Sequence, residues 1–135
     1  MRDAARLVLG LLAVLAVLHP ARAADDNDLI DQLVTGSPWK GENIGERGLG
    51  SVTYDMTFGK DPRGGLTGVM ANYSIAAFAD VANGPIAMPS VKNGVLRFQT
   101  RRGTYELTPT SDGRWAGFAS SGDQSFGAKV TLRPK

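Results

Sequence analysis

Val52, Tyr54, Met56 and Phe58 alternate without a break with Ser51, Thr53, Asp55 and Thr57. Successive side chains of an extended chain point to opposite faces, so a period of two specifies a strand with one buried face and one wetted face. The period returns at the end of the chain, where Phe126, Ala128, Val130 and Leu132 alternate with Gly127, Lys129 and Thr131. Turn signals divide the stretch between. Lys60-Asp61-Pro62-Arg63-Gly64-Gly65 reverses the chain so that Leu66 to Ile75 runs back antiparallel to the first strand. Asn93-Gly94, Arg102-Gly103, Asp112-Gly113 and Ser120-Ser121-Gly122-Asp123 bound strands over Val95 to Thr100, Thr104 to Thr108 and Arg114 to Ala119. Ala76-Ala77-Phe78-Ala79 suits strand or helix, and Asn83-Gly84-Pro85 and Met88-Pro89 interrupt the stretch, so Ser74 to Ser90 reads as one short strand plus an irregular loop.

Short strands at regular spacing with no helices between them predict an all-β domain, a small antiparallel up-and-down barrel of about eight strands. A β-sandwich is the alternative. Closure hides edge strands, which matters in a chain with no cysteine to staple them. Gly65, Gly68, Gly117 and Gly127 fall in or beside strands, where a small barrel bends sharply. One short helix, from Ala24 to Val34, precedes the strands. Asp25-Asp26-Asn27-Asp28 supplies N-cap chemistry, and Leu29, Ile30, Leu33 and Val34 form an apolar stripe that would lie across the barrel as a lid.

The first 23 residues have the layout of a cleaved secretory signal: Arg2, Asp3 and Arg6, an apolar run from Leu7 to Leu18, then Pro20 and Ala21-Arg22-Ala23. The run has 12 residues, whereas a spanning helix needs about 20, so no stable membrane anchor is expected. The reading is a signal peptide over 1–23, a single β-barrel domain over 24–135, and a periplasmic or extracellular location. Cleavage would leave 112 of the 135 residues, carrying 12 Lys plus Arg against 12 Asp plus Glu. The basic excess goes with the signal, so no nucleic-acid partner is expected. His19, the chain's one histidine, goes with it too. Without His or Cys the domain lacks the imidazole base, the thiolate nucleophile and the usual zinc, haem and copper ligands. The expectation is no catalysis, no cofactor and no metal. Carboxylate-dependent hydrolysis, through Glu42, Glu46 or Asp55, ranks third among the function classes.

Thr35-Gly36-Ser37-Pro38-Trp39-Lys40-Gly41 follows the helix and opens the first strand, in a pattern that resembles lipocalin-type and avidin-type barrels, the calycin group. That resemblance implies that Trp39 plugs a closed end with an arginine of the last strand, Arg133, packed over it. Ser37 and Pro38 both stand between Gly and Trp, where the lipocalin pattern has one residue. Gly65-Leu66-Thr67-Gly68-Val69 and Gly113-Arg114-Trp115-Ala116-Gly117-Phe118 are similar to glycine-bearing strands of avidin-like barrels. The implied function is non-catalytic binding of a small apolar or amphipathic ligand.

Five residues are candidates for that binding. Tyr54 and Met56 share the inward face, and Tyr105 beside Leu107 is similarly placed, so the three would line a cavity if one exists and otherwise fill the core. Trp115 follows a turn, where an aromatic either packs into the core of so small a domain or stands at the rim to stack on a ligand or anchor a partner. Arg97, opposite the apolar face of Val95-Leu96-Arg97-Phe98, would hold an acidic group or pair with a neighbour such as Glu106. A second function class follows from the Arg and Trp positions: a protein-binding module, such as a secreted-enzyme inhibitor or cell-envelope adaptor.

Overall fold

A computed structural model describes residues 25–45, 50–123 and 126–135. The segment read as a signal lies outside them, as does Glu46. The elements are α1 (Asp26–Thr35), β1 (Trp39–Ile44), β2 (Ser51–Lys60), β3 (Leu66–Ala71), α2 (Ala76–Ala82), β4 (Gly84–Pro85), β5 (Ala87–Lys92), β6 (Val95–Gln99), β7 (Thr104–Pro109), β8 (Trp115–Ser120) and β9 (Gly127–Pro134). All nine strands belong to one antiparallel sheet of order β4-β3-β2-β1-β9-β8-β7-β6-β5, curled until β3 approaches β5. The result is a nearly closed β-barrel, compatible in shape with a calycin-like barrel.

The seam between β3 and β5 is sealed by side-chain packing. Ile86 donates its amide hydrogen to the Gly68 carbonyl at 3.0 Å. A Cβ on Gly68 would stand 2.6 Å from Ile86 Cδ1, so only glycine lets that side chain lie flat over the gap.

Alternation fills the barrel. Val52, Tyr54, Met56 and Phe58 of β2, Leu96 and Phe98 of β6, Tyr105 and Leu107 of β7, and Val130 and Leu132 of β9 all point inward and are buried. Each such side chain contributes about 1.5–3 kcal/mol by leaving water.

One end of the barrel is covered by α1. Asp25 caps the helix by accepting the Asp28 amide hydrogen at 2.8 Å. Leu29 and Leu33 face the core, and the Trp39 indole donates from Nε1 to the Leu33 carbonyl at 2.9 Å. Two anchors fix the outer side of α1. The Asp26 carboxylate accepts the amide hydrogens of Asn93 and Gly94, each at 2.9 Å, and Asp31 pairs with Lys60. Asn93 and Gly94 both have positive φ, 51° and 79°, the conformation of a tight turn between β5 and β6.

The expected barrel of about eight strands has nine, Gly84–Pro85 pairing briefly with Val69 and Met70. Two expectations are corrected. Ala76–Ala82 is helical, because four alanines in seven residues favour a helix once no strand partner is offered. Arg133 does not pack over Trp39. It sits opposite Lys40 in the ladder, on the exposed outer face, because the period that turns Leu132 inward turns Arg133 outward.

Candidate functional site

The inward positions of β1 are Trp39, Gly41 and Asn43, and Gly41 lies opposite Tyr54 in the ladder. A Cβ at Gly41 would fall 2.0 Å from the Tyr54 ring, so glycine makes the space that the ring occupies. Tyr54 then donates its hydroxyl to Asn43 Oδ1 at 2.7 Å, and Asn43 Nδ2 donates to the Tyr105 hydroxyl at 3.0 Å. Asn43 is completely buried and is satisfied by phenols of two other strands. Tyr73 stacks on Tyr54 with ring centroids 6.0 Å apart, and Phe98 stacks on Tyr105 at 4.7 Å. Burial raises the pKa of all three phenols, and the Asn43 hydrogen bond pulls against it at Tyr73 and Tyr105.

Tyr54, Met56 and Tyr105 therefore pack into the core, with exposures of 0 %, 0 % and 2 %. None of them lines any of four clefts on the described surface. Trp115 is 1 % exposed and sits at the α1 end, not at an open rim, beside a cleft that it shares with Leu29, Gln32 and Pro109. The turn before it projects outward while β8 carries Trp115 into the inward register. Arg97 lies on the outer face of β6 in an ion pair with Glu106, Nε to Oε1 3.1 Å. The structure thus brings Tyr54, Met56 and Tyr105 into one core and leaves Arg97 outside it.

The end opposite α1 has a different character. Here α2 and the turns after β6 and β8 surround a cleft of about 530 Å³ lined by Phe78, Phe126, Gln99, residues Thr100 to Thr104 and Ser120 to Asp123. Arg102 stands at its centre. Its guanidinium carbon is 4.4 Å from the Phe78 ring centroid, 4.5 Å from that of Phe126 and 6.0 Å from that of Tyr73. One guanidinium nitrogen donates to the Tyr73 hydroxyl at 2.7 Å. Burial lowers the Arg102 pKa, yet a guanidinium stays protonated throughout the physiological range. Arg102 closes the barrel from above, and a polar ladder descends from it through the tyrosines to Asn43. Arg101 next to it is exposed to solvent.

These residues are only partly visible in the sequence. Arg102 belongs to the arginine-rich half but reads as a turn residue, and Phe78 falls in the stretch read as strand and loop. Asn43 had a usable signal, since it lies two positions after Gly41 and four after Trp39 on the inward parity.

Asp55 and Glu42 face outward with separate partners. The Asp55 carboxylate accepts from Asn72 Nδ2 at 2.8 Å and lies 3.2 Å from Lys135 Nζ and 3.8 Å from Lys40 Nζ. Its pKa is lowered, first by the Asn72 hydrogen bond and then by the lysines. Glu42 accepts the Ser51 hydroxyl at 2.7 Å. Neither lines the clefts described above. Among the described residues, no group of three or more His, Cys, Asp and Glu is placed to hold a metal ion, and no helix is long and apolar enough to cross a membrane. No family model, no curated protein and no solved structure matches this chain.

Proposed function

We propose that this is an exported, lipocalin-like, non-catalytic binding protein whose small amphipathic ligand docks at the mouth of the barrel, with an acidic head on the Arg101-Arg102 turn. The observation that carries the reading is Arg102 held between Phe78 and Phe126 in a cleft of about 530 Å³. A cation flanked by aromatic faces offers charge to a carboxylate or phosphate and apolar surface to the chain behind it. The packed core argues against the deeper cavity that Tyr54, Met56 and Tyr105 would have lined. Membership of the calycin group and export are part of this proposal, on the strength of the Gly36 to Trp39 pattern and the signal-like first 23 residues.

Calorimetry with decanoate and decanol tests it. Decanoate is expected to bind and neutral decanol to bind at least tenfold more weakly, and Arg101→Ala is expected to narrow that difference without altering the fold. Equal binding of the two, or decanoate affinity unchanged in both Arg101→Ala and Arg102→Lys, would refute a mouth site for acids.

A second reading, the protein-binding module, is favoured by Phe118, which is 66 % exposed on the outer face of β8. A large aromatic ring anchors a protein interface when a partner covers it. A pull-down from extracellular or periplasmic extract that is lost in Phe118→Ala and keeps decanoate binding would support it.

A further inference from the structure

The outer face of the barrel carries a row of exposed side chains that neither the core nor the mouth uses. The ladder places Arg97 of β6 beside Glu106 of β7, Glu106 beside Phe118 of β8, Phe118 beside Lys129 of β9, and Lys129 beside Ile44 of β1. All five are exposed, and Phe118 and Ile44 are two of the most exposed large apolar residues described. The next outward residues along β8, Ala116 and Ser120, are small. A cleft of about 460 Å³ lies beside the ring, with Val95, Thr108 and Ala116 in its walls.

We propose that this face binds a second copy of the chain. The order of charges selects that occupant. Glu106 and Lys129 flank Phe118 one strand to either side, at equal spacings of roughly 4.8 Å. A two-fold axis running along β8 turns the row end for end. Phe118 then meets Phe118 over the small residues, and each Glu106 faces Lys129 of the other copy. The Arg97 stem covers Ile44 of the other copy while its head holds Glu106 in place. A row of negative, apolar and positive groups is complementary to itself under that rotation, as a two-fold interface requires. A net charge of +2 for the whole chain gives two copies little cause to repel. The contact leaves the mouth open and does not depend on the ligand proposed for it.

Sedimentation velocity on the purified chain over a range of concentrations tests the interface. The wild type is expected to show a monomer–dimer equilibrium, and Phe118→Ser to shift it to monomer. Glu106→Lys and Lys129→Glu, each of which sets like charges against each other across the axis, are expected to raise the dimer Kd about tenfold or more. Mixing these two variants is expected to restore dimers as heterodimers, because each then supplies the charge that the other lacks. Circular dichroism confirms that each variant keeps the fold. A wild type that stays monomeric to about 1 mM, charge variants that dimerise like the wild type, or a mixture no tighter than its components would overturn the proposal.

Discussion

Asn43 and the three tyrosines show how single residues set what the interior can do. Tyr54→Phe removes the hydroxyl that donates to Asn43 Oδ1 and leaves a buried acceptor without that partner. The expected cost is about 1–3 kcal/mol, read as a lower midpoint in urea with an unchanged slope. Gly41→Ala is expected to cost as much or more, about 3 kcal/mol, because its Cβ would collide with a ring that has no free space to move into. The phenols also predict an alkaline limit. Tyr54, Tyr73 and Tyr105 are all the tyrosines of the chain, and each has its pKa raised in the fold. The folded state therefore holds their protons more tightly than the unfolded state does. Stability from this source is complete below about pH 10, the value of a free phenol, and is lost as pH rises through the folded values. Tyrosinate absorbance is expected to stay flat until the protein unfolds, then to rise in one step with the circular dichroism transition. A tyrosine that ionises near pH 10 in the native state would contradict the packed interior. Asp55 works in the opposite sense: its lowered pKa makes its contribution full above the ordinary carboxylate range and lost as pH falls through the folded value.

Elements were legible to different degrees, for reasons that lie in their chemistry. β2 and β9 could be read because one face is buried and the other wet, which writes the period of two directly into the sequence, whereas β4 and most of β5 fall in the stretch read as one short strand and a loop. α1 could be read because its cap and stripe agree. α2 could not, since seven residues rich in alanine carry neither a clear stripe nor a side-chain cap. That miss also hid Phe78, and with it half of the aromatic clamp on Arg102. Turns told where the chain reverses but not which turn residue points back over the barrel. Arg102 and Arg97 both look like surface cations in sequence, and only the meeting of three distant segments separates them. For α1, the two hydrogen bonds that Asp26 accepts from the Asn93-Gly94 turn set its hold on the barrel. Asp26→Ala is expected to cost about 1–2 kcal/mol, since each bond to a charged acceptor on the surface contributes modestly. Hydrogen exchange is expected to speed up in α1 and the β5–β6 turn and to stay unchanged in β2 and β9. Uniform acceleration across the barrel would mean that α1 is not a separate lid.

The whole molecule is a barrel capped at both ends and filled between them. Trp39 with Leu29 and Leu33 of α1 caps one end, Arg102 and its aromatic neighbours cap the other, and Tyr54, Met56 and Tyr105 occupy the space between. The binding we propose then belongs to surfaces, the mouth for a small acid and the outer row around Phe118 for a second copy. Amide chemical-shift mapping by NMR during titration with decanoate tests the central claim most directly. Shifts are expected to be confined to residues of the mouth, Tyr73 to Ala82, Thr100 to Thr104, Ser120 to Asp123 and Phe126, with Val52, Met56 and Leu107 unmoved. Shifts centred on Val52, Met56 and Leu107 would show that the ligand enters the barrel and would contradict a filled interior.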